Sequence, residues 1–553
     1  MISIYKIPSV AALVALALAG LLAFSCQSTG SESEEAGSTP ARSDCDNCDL
    51  VPADAVSLVS DSNYPVSANT LDSWVAERNG PEIRTHGWYL FEKLMYAPDG
   101  DDVWTWRTWP TATQAFASGS SHANLGEESR EATEITDNYM SSGTHAQEEN
   151  FLAVTDVAGD TIADVSGVSY AIPPAVCDSL GAAPGCTIDG DGCHWQDNGD
   201  IMVAGVIYNK PAYDHIRDEG IYDWDNLASI WNDAMNRQGS RGGIAEFPST
   251  SVVLKPMLWP VKQSESSTLP VFDLDCYDGT GNCDEAASGQ HIYAGYENQD
   301  IWKNAVAVTT NADSAGQTKS RSTYLHFATL NGEAIGPNTY SDIAYHHVDD
   351  FYHWQVTQEQ WNAMDCSDRA IVNKAFYYVY NRGWEPGDYL VLIAMHVMTK
   401  EMPGWTLQSF WWNDTPQADG SKYAKQRDNV SNPQKAAFNN YLMASTYGMT
   451  DKDDPTKWPV AFNPYIELAA SHPIETNCRN CHLRAGFPSD NAELYSLGVD
   501  TTVAGHNTAG YIQTRNGHTP TTLDTLTFRS VVFDSLVMVD FLWSISDRVS
   551  PKE

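Results

Sequence analysis

The sequence predicts an α+β fold, with a β-rich main body followed by a more helical C-terminal region. Three observations carry this expectation. Short apolar runs rich in Val, Ile and aromatic residues recur between about residues 70 and 425, bordered by Gly, Pro or Asn. Helical spacing of apolar positions returns in two segments beyond residue 425. With 553 residues, 42 % hydrophobic and 11 % aromatic, the chain can bury a sizeable core in one large or two to three smaller domains.

The N-terminus reads as a targeting segment. Lys6 supplies a positive start, and "PSVAALVALALAGLLAF" is an apolar stretch too short to span a membrane comfortably. It ends in "LAFSC", where small residues before Cys26 resemble the lipobox of bacterial lipoproteins. Residues 1–25 are therefore expected to be a lipoprotein-type signal peptide, with Cys26 lipidated and membrane-anchored. Phe24 is bulky for its place, and a plain cleaved leader with a soluble product is the alternative. Both readings predict export, to the periplasm or the outer-membrane or cell surface. Residues 26–70, rich in Ser, Gly, Glu and Pro, are expected to form a flexible acidic tether.

The body is expected over 71–425. "DIMVAGVIYN" (200–209), "SVVLKPMLWPV" (251–261), "DYLVLIAMHVM" (388–398) and "WTLQSFWW" (405–412) read as strands. "NLASIWNDAMNR" (226–237) reads as a helix, and so does "NPQKAAFNNYLMAS" (432–445), with Asn432 as N-cap and Pro433 following. In "FRSVVFDSLVMVDFLWSI", Phe528, Val531, Val532, Leu536, Val539 and Trp543 fall on one helical stripe, although the β-branched content also permits a strand.

Charge excludes one class of partner. The formal net charge of −40 would repel a phosphate backbone, so no nucleic acid is expected to bind. Eleven cysteines remain to be distributed. With Cys26, Cys478 and Cys481 set aside, eight are left, an even number suited to disulfides in an oxidising compartment. "CYDGTGNC", from Cys276 to Cys283, fits a bridged turn.

The stretch "SHPIETNCRNCHLRAG" (471–486) carries the most specific chemistry. In C-x-x-C-H, two thiols on one helical turn can form thioethers with both vinyl groups of a haem, and the adjacent histidine reaches the iron. Chance occurrence at this composition is on the order of 0.01. The motif predicts one covalent haem c on Cys478 and Cys481, with His482 as proximal ligand, within a region spanning 426–553. Such attachment happens outside the cytoplasmic membrane, where the leader sends the chain. A Cys478–Cys481 disulfide and a zinc site are the alternatives; zinc would want a second ligand pair closer than Cys45 and Cys48.

The sixth ligand is open in the sequence. His506, His518 and Met538 are downstream candidates, and His396 could enter from the body. The cluster "YHHVDDFYHW", with His346, His347 and His353, invites a second metal reading, but neighbours on a strand point to opposite faces. Cys193–His194 lacks a first cysteine, and the acidic loops at 189–192 and 273–279 lack the spacing of an EF-hand.

Several segments together resemble a group of large, exported, uncharacterised bacterial cytochrome c family proteins with a single haem motif near the C-terminus. They are "WYLFEKL", "WTWRTWPTATQAF", "DIMVAGVIYNKPAYDHIRDEGIYD", "FPSTSVVLKPMLWPV", "VLIAMHVMTKEMPGWTLQSFWW", the haem motif with "LRAG", and "DFLWSI". The resemblance spans most of residues 85–545 and implies the architecture and one haem. It pairs His396 with Lys400, followed by Trp405 and Phe410, and brings no established substrate.

Three function classes follow. The first is an exported monohaem cytochrome transferring electrons to a redox partner of unknown identity, with or without coupling to a substrate-binding body. The second is a haem oxidoreductase with an open iron face, for which His396 and Lys400 are candidate polar groups. The third is a binding or structural surface lipoprotein. A minimal electron carrier needs only about 100 residues, so the large body argues for a second task. No nucleotide-binding or serine-hydrolase motif is present in the sequence.

Overall fold

The structure, a computed structural model, describes residues 63–96, 104–117, 152–156, 203–236, 243–264, 266–272, 304–319, 323–328, 334–340, 343–363, 369, 372–373, 375–376, 383–416, 423–430, 435–447, 461, 463–466, 478–482, 485–488 and 537–549. All of them belong to one compact unit, Asn47–Glu553. The expected leader, Cys26, and the cysteines from Cys45 to Cys366 lie outside the described residues. The described residues are sheet-rich with helices, an α+β arrangement. No helix among them is long and apolar enough to cross a membrane.

A seven-stranded antiparallel sheet forms the centre. Its strands are β1 (Val203–Ala204), β2 (Ile207–Tyr208), β3 (Val252–Val261), β4 (His353–Gln355), β5 (Tyr389–Thr399), β6 (Thr406–Trp412) and β7 (Tyr441–Thr446). The order is β7-β6-β5-β3-β1, with β4 also paired to β5 and β2 to β3. The two longest strands, β3 and β5, are buried on nearly every residue, which explains why both read as unbroken apolar runs. The chain between β3 and β4 supplies a four-stranded sheet (Ser267–Val271, Asn304–Thr309, Ile343–His347, Thr318–Lys319) and two strands (Thr323–Ala328, Ala334–Tyr340) of a three-stranded one completed by Leu152–Asp156.

Helix α1 (Ala68–Ala76) is capped by the Ser67 side chain, which accepts from the Thr70 amide. Helix α2 (Gly80–Leu94) starts with a proline and an acidic first turn, and ends near Lys93, in keeping with its dipole. It buries Trp88, Phe91 and Leu94 against one face of the sheet. Phe91 stacks on Phe410 with centroids 4.3 Å apart, and Trp88 meets the same ring edge-on at 5.6 Å. Such aromatic pairs add about 0.5–1.5 kcal/mol each beyond their buried area. Gly87 permits the close approach, since a Cβ there would lie 2.6 Å from Met443 Sδ. Residues before α1 already belong to the packed body: Tyr64 is buried and donates to the Thr250 carbonyl at 2.9 Å.

Two expected helices differ from the sequence reading. Asn432 and Pro433 lie outside the described residues; among the described residues of 435–445 only Lys435–Phe438 is helical, and Tyr441–Thr446 is strand β7. Pairing with β6, from Trp412 opposite Tyr441 to Leu407 opposite Thr446, outweighs the helical preference of this stretch. In the last segment, β9 (Val537–Met538) and α6 (Trp543–Arg548) are separated by Asp540 and Phe541, both at positive φ. A right-handed helix cannot pass through two left-handed residues, so the predicted stripe is broken there. The expected helix at 226–237 is present as α4 (Trp224–Asn236), after α3 (Lys210–Asp218).

Candidate functional site

Cys478–His482 forms α5, a single helical turn, so that Cys478 and His482 lie near one another along it. Its start is fixed by Cys478, whose amide donates to the Ala461 carbonyl at 2.9 Å and whose Sγ donates to the same oxygen at 3.1 Å. Its middle is fixed by Arg479, which is 4 % exposed. Arg479 Nη1 donates to the carbonyls of Trp405 and Tyr447, each at 2.9 Å. Burial pulls the guanidinium pKa down to about 10, against the opposing influence of Asp72. It is therefore a buried cation at neutral pH.

The end of α5 is fixed through its histidine. His482 Nδ1 lies 2.9 Å from the Phe541 carbonyl oxygen. A carbonyl only accepts, so the ring donates from Nδ1, and in the neutral imidazole the lone pair then resides on Nε2. This is the tautomer that a metal-bound histidine adopts when a backbone carbonyl orients it. The register of two short strands brings the partners together. β8 (Gly486–Phe487) pairs antiparallel with β9, Gly486 opposite Met538, and the Val539 amide donates to Ala485 at 3.2 Å. The chain then turns at Asp540 (φ 47°) and Phe541 (φ 71°), which points the Phe541 carbonyl back at α5. Left-handed backbone at non-glycine residues costs of order 1–3 kcal/mol each, so something must hold the turn.

The β5–β6 connection, "KEMPGW", supplies that hold. Lys400 Nζ donates to Asp540 Oδ1 at 2.7 Å and to the Pro403 carbonyl at 2.9 Å. Asp540 Oδ2 accepts from the Phe247 amide at 3.0 Å. Burial raises the Asp540 pKa, while Lys400, the Phe247 amide and the Trp405 indole pull it down. Gly404 leaves room for the Arg479 guanidinium, which a Cβ at that position would strike. Glu401, next in the same loop, faces His86 Nε2 at 3.3 Å and accepts from the Val66 amide at 2.7 Å. One six-residue connection thus touches the helix of the motif, the turn opposite it and the N-terminal helices.

The sequence-predicted candidates separate accordingly. Cys478, Cys481 and His482 share α5, and Lys400 joins them through Asp540 and Phe541. His396 stands inside the sheet on β5, between Lys255 of β3 and Ser409 of β6. Lys400 is beyond the end of that strand, so the two residues paired by the resemblance have different surroundings. Met538 is in β9, and its carbonyl accepts from the Ile244 amide at 3.0 Å. His506 and His518 lie outside the described residues. In the histidine cluster, His346 faces Asp350 at 3.4 Å and His347 faces Asp349 at 3.1 Å. Among the described residues no group of three or more His, Cys, Asp or Glu is arranged to hold a metal.

Sequence reasoning missed Arg479, Asp540, Phe541, Glu401 and His86. Asp540 left a weak signal, because aspartate is enriched among residues at positive φ. No family model matches the chain, and neither a curated protein nor a solved structure shows significant similarity to it.

Proposed function

We propose that the chain is an exported monohaem c-type cytochrome, anchored through lipidated Cys26 and working in electron transfer. In this reading Cys478 and Cys481 hold one haem c by thioether bonds, and His482 Nε2 is the proximal ligand. The resemblance to exported bacterial cytochrome c family proteins supports it, as do the leader and the C-x-x-C-H spacing. The observation that carries it is the His482 Nδ1 donation to the Phe541 carbonyl at 2.9 Å, which leaves the ring in the metal-binding tautomer. The donor set fits the group, since two thiols and an imidazole on one turn are what covalent haem requires.

The haem supplies a one-electron redox couple when bound. The chain's own residues anchor and orient. Arg479 ties α5 to Trp405 and Tyr447, so the motif is held against the end of the sheet. The Phe541 carbonyl sets the His482 ring plane and its basicity. Cys478 Sγ gives up its weak bond to Ala461 when it becomes a thioether, because a thioether has no hydrogen to donate.

The test is production of the full chain in a host that matures c-type cytochromes. Mass spectrometry of the 471–486 peptide should show one haem on Cys478 and Cys481, with a haemochrome spectrum of one haem per chain. Low-spin six-coordinate iron would fit a carrier. High-spin iron that shifts on adding cyanide or peroxide would turn the reading toward the haem oxidoreductase. A colourless product with a Cys478–Cys481 disulfide would end both.

A further inference from the structure

We infer that Lys400 and Asp540 are positioning residues for His482, acting through the Phe541 carbonyl to fix the tautomer and basicity of the imidazole. The inference rests on the haem reading for its consequence, but its geometry stands on the chain alone. Phe541 reaches His482 only because residues 540 and 541 both take left-handed backbone. Neither is glycine, so the turn is held by contacts: Phe541 is buried, the Leu542 amide donates to the Val539 carbonyl at 3.0 Å, and both carboxylate oxygens of Asp540 are bonded. Oδ1 accepts from Lys400 at 2.7 Å and Oδ2 from the Phe247 amide at 3.0 Å, so each carboxylate oxygen is tied to a different segment. Lys400 is itself clamped on the Pro403 carbonyl, with only 3 % of its side chain exposed. Glu246, 3.8 Å from Lys400 but 74 % exposed, adds little.

The consequence follows from the direction of the His482 bond. A carbonyl held rigidly at 2.9 Å from Nδ1 strengthens donation from that nitrogen and makes Nε2 a better electron donor. A better donor to iron stabilises its oxidised state and lowers the reduction potential. If Asp540 loses its grip, the turn relaxes, the carbonyl withdraws and the potential rises. Lys400 lies 140 residues from Asp540 in sequence, so the central sheet would tune the site from outside the motif.

Two measurements on the full chain test this. First, the ring-nitrogen signals of His482 are read by NMR in unloaded, histidine-labelled protein and assigned by their loss in His482→Gln. Wild type should show the Nδ1–H form, and Asp540→Asn and Lys400→Met a mixture with the Nε2–H form. An Nε2–H form in wild type, or no change in the variants, overturns the proposal. The wild-type reading decides even if both variants fail to fold. Second, in haem-loaded protein the midpoint potential of Asp540→Asn should lie above wild type. An unchanged potential overturns the tuning. Failure of wild type to take up haem would instead count against the parent reading, while the NMR result would still judge the role of Asp540.

Discussion

Tyr447 places its hydroxyl 2.6 Å from His86 Nδ1, joining strand β7's end to helix α2 inside the protein. The hydrogens along this contact can be assigned. Gln408 Nε2 donates to the Tyr447 oxygen at 2.9 Å, so the phenol proton is directed to His86 Nδ1. The Nε2–H then faces Glu401, which also accepts from the Val66 amide and from the Thr399 hydroxyl at 2.5 Å. Tyr447 in turn offers its main-chain carbonyl to Arg479 of α5. The N-terminal helices, the sheet and the motif are thereby linked by one buried polar chain.

Glu401→Ala should therefore be more damaging than Tyr447→Phe. Removing the carboxylate leaves the Val66 amide and the Thr399 hydroxyl without their acceptor, beside a buried imidazole, at about 1–3 kcal/mol for each stranded donor. Removing the phenol oxygen costs about 1–3 kcal/mol, since its neighbours are neutral. Urea unfolding of both variants gives the comparison. Equal midpoints would mean that Glu401 is not the anchor of the chain of bonds.

Lys400 and Asp540 should show strong coupling in a double-mutant cycle. Each single replacement, Lys400→Met or Asp540→Leu, strands a buried charge and should cost about 3–5 kcal/mol. The double variant should recover much of that, leaving the Phe247 amide and the Pro403 carbonyl without these partners. Additive losses would show that the 2.7 Å pair carries no energy of its own.

Gly404→Ala tests the docking of α5. The added Cβ strikes the Arg479 guanidinium, which must give up its bonds to the Trp405 and Tyr447 carbonyls to make room. A loss of about 1–3 kcal/mol is expected, with reduced covalent haem loading. Wild-type stability and loading in the variant would mean that Arg479 can leave its place freely.

What the sequence disclosed depends on range. β3 and β5 were legible because burial on both faces writes itself as a continuous apolar run. The helix α3 was not expected, although Asn209 as N-cap and Pro211 in the first turn are local signals of its start. Tyr441–Thr446 was not legible, because its state is decided by β6 across the sheet. The motif at 478–482 is a local pattern, whereas its support is not. Lys400 meets Asp540 across 140 residues, and His86 meets Tyr447 across 361. No window of sequence holds both partners. The segment containing Asp540 looked helical because its apolar spacing is helical up to the two residues whose backbone reverses.

The protein should lose stability steeply above about pH 10. Burial holds the Tyr64, Tyr441, Tyr447 and Tyr465 phenols above their usual value, with Glu401 adding to the effect at Tyr64 and Tyr447. Above pH 10 the unfolded chain releases these protons and the folded chain keeps them. The folded state then binds more protons, so stability is complete below about pH 10 and falls as pH rises. Each phenol contributes up to about 1.4 kcal/mol per pH unit. Arg479 works in the opposite sense. Its folded pKa, about 10, lies below that in the unfolded chain, so the unfolded chain holds the extra proton and stability rises with pH above about pH 10. Arg427, lowered by burial, has the same sign. The raised phenols, Tyr389 among them, outnumber the two guanidiniums, so the net effect is a loss of stability. Urea midpoints measured at stepped alkaline pH, alongside phenolate absorbance, check the sign. Ionisation of these four phenols with native structure intact near pH 10 would refute the burial on which the prediction rests.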